Sequence, residues 1–132
     1  MKISIKATKI SLNKSLRDFV EKKISGLEKF LNISKSSDPR FQNNNLKAEV
    51  EIEKTTFHHK KGPFFRAECQ IPLPGRTIRA EEKAEGIKEA VVRVKKEMQR
   101  EIDRYKNRIK IQIKKGAREA KKRMRANPAA EE

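Results

Sequence analysis

The sequence predicts an α+β domain: a four-stranded mixed sheet with two helices packed on one face, in the order β-α-β-β-β-α. Three observations predict it. Apolar and polar residues alternate in four separate segments, and each alternation leaves one apolar face. Two longer segments repeat apolar residues at steps of three and four, which draws one stripe on each helix. A helix separates the first strand from the second and permits parallel pairing, whereas short connections afterwards favour an antiparallel meander.

Ile3 and Ile5 alternate with Lys2, Ser4 and Lys6, giving a half-buried strand over residues 2–8. Asn13 offers an N-cap oxygen. Leu16, Phe19, Val20, Ile24, Leu27, Phe30 and Leu31 then form the stripe of one helix, about five turns long. Its other surface carries Lys14, Arg17, Lys22, Lys23 and Lys29. The polar stretch from Ser34 to Asn45 reads as a loop. Leu46, Ala48, Val50 and Ile52 mark the second strand, and Phe65, Ala67, Cys69 and Ile71 the third. Residues 55–63, with His58, His59, Lys60 and Lys61, form a long hairpin connection between them. Leu73-Pro74-Gly75 is a tight turn, and Ile78 and Ala80 begin a short fourth strand.

The second helix begins near Ala84 and buries Ile87, Ala90, Val91, Val94, Met98, Ile102 and Tyr105. Lys88, Arg93, Lys95, Lys96, Arg100, Arg104 and Lys106 face outward, with intrahelical pairs such as Glu97 with Arg93 available. After Asn107 two readings stand. Ile109, Ile113, Ala117, Ala120 and Met124 extend a helical stripe, while Ile109, Ile111 and Ile113 alternate like a strand, and Gly116 interrupts either. Residues 1–107 form the expected domain, and 108–132 a basic tail, partly helical or disordered.

Thirty-four Lys and Arg stand against eighteen Asp and Glu in 132 residues, a formal charge of +16. Folding gains nothing from such self-repulsion, so the balance argues for a polyanionic partner, nucleic acid by default. Trp is absent and Tyr105 is the single tyrosine, which leaves little capacity to stack splayed bases. The open sheet face would carry Glu49, Glu51, Glu53 and Glu68 with Phe64 as its one ring, which excludes an RNA-recognition motif. Cys69 is the lone cysteine and reads as a small buried hydrophobe, so neither a disulfide nor a zinc site is expected. His58 and His59 are adjacent and would point oppositely on a strand, so no metal site is expected. Glu81 and Glu82 lack a nucleophile or phosphate loop beside them, and Glu82 flanks the second helix near its positive end. No catalytic residue, cofactor or small-molecule substrate is expected, and the chain does not read as an enzyme. No apolar run approaches the roughly 20 residues of a membrane span. The chain reads as soluble, cytoplasmic and monomeric.

Several segments carry a resemblance. Leu16 to Ile24, followed by Leu27-Glu28-Lys29-Phe30, is similar to the first helix of the ribosome hibernation-promoting factors, the ribosome-associated translation inhibitors. Ile71-Pro72-Leu73-Pro74-Gly75 with Ile78-Arg79-Ala80-Glu81-Glu82 resembles that family's third strand, turn and fourth strand. Glu101 to Lys106 resembles the end of its second helix. Gly86 to Val92 departs from the family, with Lys88 where a tyrosine is usual. The resemblance implies a topology similar to double-stranded RNA-binding domains. It also implies binding to the small ribosomal subunit, in the channel used by messenger RNA and transfer RNA anticodon arms, which silences and protects idle ribosomes under stress. Long members carry a further domain that pairs ribosomes; the sequence ends at Glu132 without it, so pairing by this chain alone is not expected.

The chemistry this requires is neutralisation of ribosomal RNA phosphates by Lys and Arg. The expected contacts are Arg17, Lys22, Lys23 and Lys29 from the first helix, and Arg93, Lys96, Arg100, Arg104 and Lys106 from the second. Arg79 joins them from the fourth strand. The alternatives are a general double-stranded RNA-binding protein and a constitutive structural protein of the ribosome.

Overall fold

A computed structural model describes residues 1–31, 46–55 and 64–126. The loop expected at 34–45, the His58–Lys61 stretch and the chain end from Asn127 lie outside the described residues. Two compact units divide the chain, Met1–Ile102 and Asp103–Glu132.

In the first unit, β1 (Lys2–Thr8), β2 (Lys47–Lys54), β3 (Phe65–Leu73) and β4 (Arg76–Ala84) form one sheet in the order β1-β2-β3-β4. β1 pairs parallel with β2, and the remaining pairs are antiparallel. The register aligns Ile5, Val50, Cys69 and Ala80 in one row across the sheet. Period two then assigns the whole row to one face, and a slip of one residue would turn it to water. Pro72 is tolerated because β2 pairs only as far as Gln70, so its missing N–H interrupts no ladder on that side. Gly75, at φ +81°, makes the turn between β3 and β4, a conformation that other residues adopt only under strain.

Helices α1 (Lys14–Ser25), α2 (Glu28–Leu31) and α3 (Ile87–Ala126) complete the fold. The Asn13 side chain accepts the Leu16 N–H at 2.8 Å and caps α1. Leu16, Val20, Ile24, Leu27 and Leu31 from this side of the crossover, with Ala90, Val91, Val94, Met98 and Ile102 from α3, bury against the apolar sheet face. Among the described residues none that is polar or charged is buried, so this core contains no charge to compensate.

Four expectations need correction. The first helix is not continuous: Gly26 and Leu27 divide it into α1 and α2, with the Leu27 N–H donating to the Ile24 carbonyl. Gly26 is the weak point, because glycine is the costliest ordinary residue in a helix interior. The fourth strand is nine residues long rather than short, and α3 starts at Ile87 rather than near Ala84. Glu82 accordingly lies within β4 opposite Ala67, and no longer flanks a helix end. Gly86 supplies the first helical acceptor, its carbonyl taking the Ala90 N–H at 3.0 Å.

In the second unit the strand reading of Ile109–Ile113 gives way to helix, which continues to Ala126 through Gly116. Ala117, Ala120 and the surrounding Lys and Arg are strong helix formers and outweigh one glycine. Tyr105 is buried, and Lys110 to Arg125 are exposed.

Burial pushes the Cys69 thiol up to about 12, with the Glu68 charge adding to the shift. The thiolate is therefore scarce at neutral pH. Native protein at pH 8 should react with iodoacetamide at least a hundredfold more slowly than protein unfolded in guanidinium. Equal rates would place Cys69 outside the core.

Candidate nucleic-acid interface

α1 and the first part of α3 lie side by side. The Phe19 ring of α1 receives the Lys88 ammonium at 5.3 Å from its centroid, and the Lys23 ammonium at 5.7 Å. Each contact is a cation–π attraction, worth about 0.5–1 kcal/mol at an exposed site. Further along, a methyl placed on Gly26 would stand 2.9 Å from Lys95 Nζ. Lys95 thus brings its charge to the C-terminal end of α1, where the helix dipole favours a cation. Lys23, Lys88 and Lys95 together line the groove between the helices.

The expected contacts distribute around this groove. Lys22 and Lys96 are exposed, and Lys23 is half-buried beside Phe19. Arg17 takes the opposite flank of α1 by helical spacing, and exposed Lys29 lies on α2 with its ammonium 5.1 Å from the Phe30 ring. Arg93 turns toward β4 instead, donating to the Lys83 carbonyl at 2.9 Å and pairing with Glu89 at 2.7 Å. Arg100, seven residues on, shares that flank and pairs with Glu97 at 3.1 Å. The pair expected between Glu97 and Arg93 is therefore replaced by these two. Both are exposed helical pairs, worth about 0.3–0.5 kcal/mol, so either arginine can exchange its carboxylate for a phosphate.

Arg79 is apart from the others. It lies on the open face of the sheet, with Nε 2.9 Å from Glu68 and Nη2 3.3 Å from Glu81. Beside it Arg66 reaches Glu51, Glu53 and Glu68, each at 3.0 Å, and Glu81 at 3.5 Å. Burial works against the Arg66 charge, but the hydrogen bonds to Glu53 and Glu68 and the charges of Glu81 and Glu51 outweigh it and raise its pKa. The Arg79 hydrogen bond, against some desolvation and with help from Arg66, holds the Glu68 carboxyl below its ordinary value. The acidic face read from the sequence is thus a bonded lattice around two arginines.

In the second unit, Arg104 is exposed and Lys106 half-buried on α3. Eleven Lys and Arg between Arg104 and Arg125 meet only Glu119 as a counter-charge. No cluster of His, Cys, Asp and Glu among the described residues could hold a metal ion, and none of their helices is long and apolar enough to cross a membrane.

Residues 3–110 match the family described as sigma 54 modulation protein / S30EA ribosomal protein. The chain belongs to this family. Among solved structures, the N-terminal domain of Thermus thermophilus Protein Y is 25% identical, with a TM-score of 0.60 over 80% of this chain and 99% of that one. A ribosomal subunit interface protein from Coxiella burnetii shares the fold at 16% identity, with a TM-score of 0.59 over 81% and 99%. No curated protein matches the sequence. The family match ends at residue 110, so the basic helix from Ile111 to Ala126 lies beyond it.

Sequence reasoning missed two features of this family member. Lys88 and Lys95 were legible as outward-facing, but not as meeting Phe19 and Gly26, because the apposition of two helices has no local signature. Arg66 was missed altogether. The signal was its place among alternating glutamates, and it needed the β2–β3 register, which sets Glu53 opposite it.

Replacing Arg66 by Met leaves four carboxylates facing one another. At pH 7 the variant should lose about 2 kcal/mol of stability, the scale of hydrogen bonds to a charged group. Wild-type stability should fall as pH drops below the unfolded carboxylate value of about 4.3, since Glu68 is depressed in the fold. The variant's repelling carboxylates shift the other way, so its deficit should shrink in acid. Urea midpoints at pH 7 and pH 4 test this, and parallel losses would exclude the lattice as the cause.

Proposed function

We propose that the chain is a ribosome hibernation factor that occupies the decoding channel of the small ribosomal subunit. Support comes first from membership in a family whose description names a ribosomal protein. The single structural observation that carries the reading is the cationic groove between α1 and α3, with Lys23, Lys88 and Lys95 inside it. Lys22 and Lys96 stand exposed on the same two helices, and Arg93 and Arg100 along the outer flank.

Phosphates of folded RNA lie close together and hold condensed counterions. Two ridges of Lys and Arg displace those ions, and the released ions drive association. A-form RNA is met by shape and by phosphate or 2′-hydroxyl contact, since its major groove is too narrow to read. No base code is required, because the channel itself is the target. Occupancy excludes messenger RNA and the anticodon arms of transfer RNA by volume alone, which inhibits translation and shields the idle particle. No bond is made or broken, so no catalytic group is called for. This activity places the protein in the cytoplasm.

Co-sedimentation with vacant small subunits tests the proposal. Wild-type protein should bind, compete with transfer RNA and inhibit translation in vitro. Log affinity should fall with log salt at roughly −0.7 to −0.9 per phosphate contacted. Reversal of Lys23, Lys88 and Lys96 to Glu should abolish binding while the thermal midpoint stays within a few degrees. Unaltered binding would move the site elsewhere. If naked duplex RNA competes as well as ribosomes do, the protein is a general duplex binder; equal stoichiometry with ribosomes in growing cells would make it a constitutive ribosomal component.

A further inference from the structure

The part of α3 beyond Tyr105 carries an apolar stripe that is half-buried at Ile109 and exposed from Ile113 to Met124. Ile109, Ile113, Gly116, Ala117, Ala120 and Met124 recur at helical steps and share one side. Ile113 is 67% exposed and Met124 55%. Among the described residues nothing lies within 4 Å of the position where a Cβ on Gly116 would stand. At 1.5 Å per residue the stripe is about 22 Å long. Lys110 and Lys121 border it on one side; Arg123 borders it on the other, followed by Gln112, Glu119 and Arg108, and the remaining surface is basic apart from Asn107 and Ile111.

We propose that this stripe is a docking face for an acidic amphipathic helix of a partner protein. The inference is independent of the ribosome reading, which rests on the first unit. Charge chooses the occupant. Cations flanking an apolar seam favour carboxylates at the flanks of the opposing helix, as in paired coiled coils. A second copy of this chain would set cation against cation along the whole seam and is excluded by repulsion. RNA satisfies the cations but gains nothing from Ile113 and Met124. A lipid surface is a poor match, because interfacial helices present Trp, Phe and Leu, whereas Gly116, Ala117 and Ala120 bury little area. Those small residues instead let a second helix backbone approach closely, with Ile113 and Met124 as anchors at either end. The like charges on the other faces repel one another along the helix, so a carboxylate-bearing partner also relieves strain within it.

The test uses the full chain and a synthetic probe: an acidic amphipathic helix about three heptads long, Leu at the seam and Glu at the flanks. The control peptide has the same composition with the seam scrambled. At physiological salt the patterned peptide should bind about tenfold more tightly by fluorescence anisotropy, a difference of about 1.4 kcal/mol. Ile113→Ser with Met124→Ser should erase that preference, leaving circular dichroism and duplex RNA affinity unchanged, since both side chains are exposed. Lys110→Gln with Lys121→Gln should weaken both peptides and keep the preference for the pattern. Equal affinity for patterned and scrambled peptides in the wild type would overturn the proposal, leaving charge attraction alone. Loss of RNA affinity in the Ser variant would overturn it in favour of RNA. Binding to anionic vesicles that the Ser variant loses, with no peptide preference, would overturn it in favour of lipid.

Discussion

A sheet buried on one face only is the constraint from which the rest of the domain follows. The row Ile5, Val50, Cys69 and Ala80 sets one side of four strands against α1, α2 and the first part of α3. Apolar area removed from water there holds the helices, so most of their outer surface is free to be cationic. The other side of the sheet meets water. It needs polar side chains that tolerate close cross-strand neighbours, and like charges directly opposite one another are destabilising. Arg66, ringed by Glu51, Glu53, Glu68 and Glu81, resolves that crowding.

Charge divides unequally along the chain. Residues 103–132 hold eleven Lys and Arg against four acids, while residues 1–102 hold twenty-three against fourteen. Basic density is therefore greatest in the second unit. In the first unit the excess is arranged: Glu89 and Glu97 neutralise the Arg93 and Arg100 flank, whereas two lysines gather around the uncharged ring of Phe19 and a third reaches Gly26. Lysine charge is thus concentrated between the helices, and the paired arginines lie along their outer side.

The element order and most of the core could be read in advance, because period two and period 3.6 are printed directly in the residues that face inward. Val20, Ile24, Val94 and Met98 are buried as their spacing requires. Boundaries were less legible. Ala84 continues the strand alternation while also opening an apolar helical step, so the start of α3 could not be fixed from pattern alone; pairing with Phe65 decides it for the strand. The break at Gly26 was hidden because Leu27 and Leu31 keep the apolar spacing across it. The candidate site was legible as charge and illegible as arrangement. Nothing local to Arg79 tells that it leans on Glu68 across the strands, and nothing local to Lys88 tells that its neighbour is Phe19.

The bond from Arg93 to the Lys83 carbonyl has a meaning of its own. β4 is the last strand of the sheet, and a border strand offers its backbone as a template for strand addition by another chain. A guanidinium seated on that carbonyl blunts the template, as does the run of charged side chains at Arg79, Glu81 and Lys83. The β4 edge can thus resist strand addition without being buried.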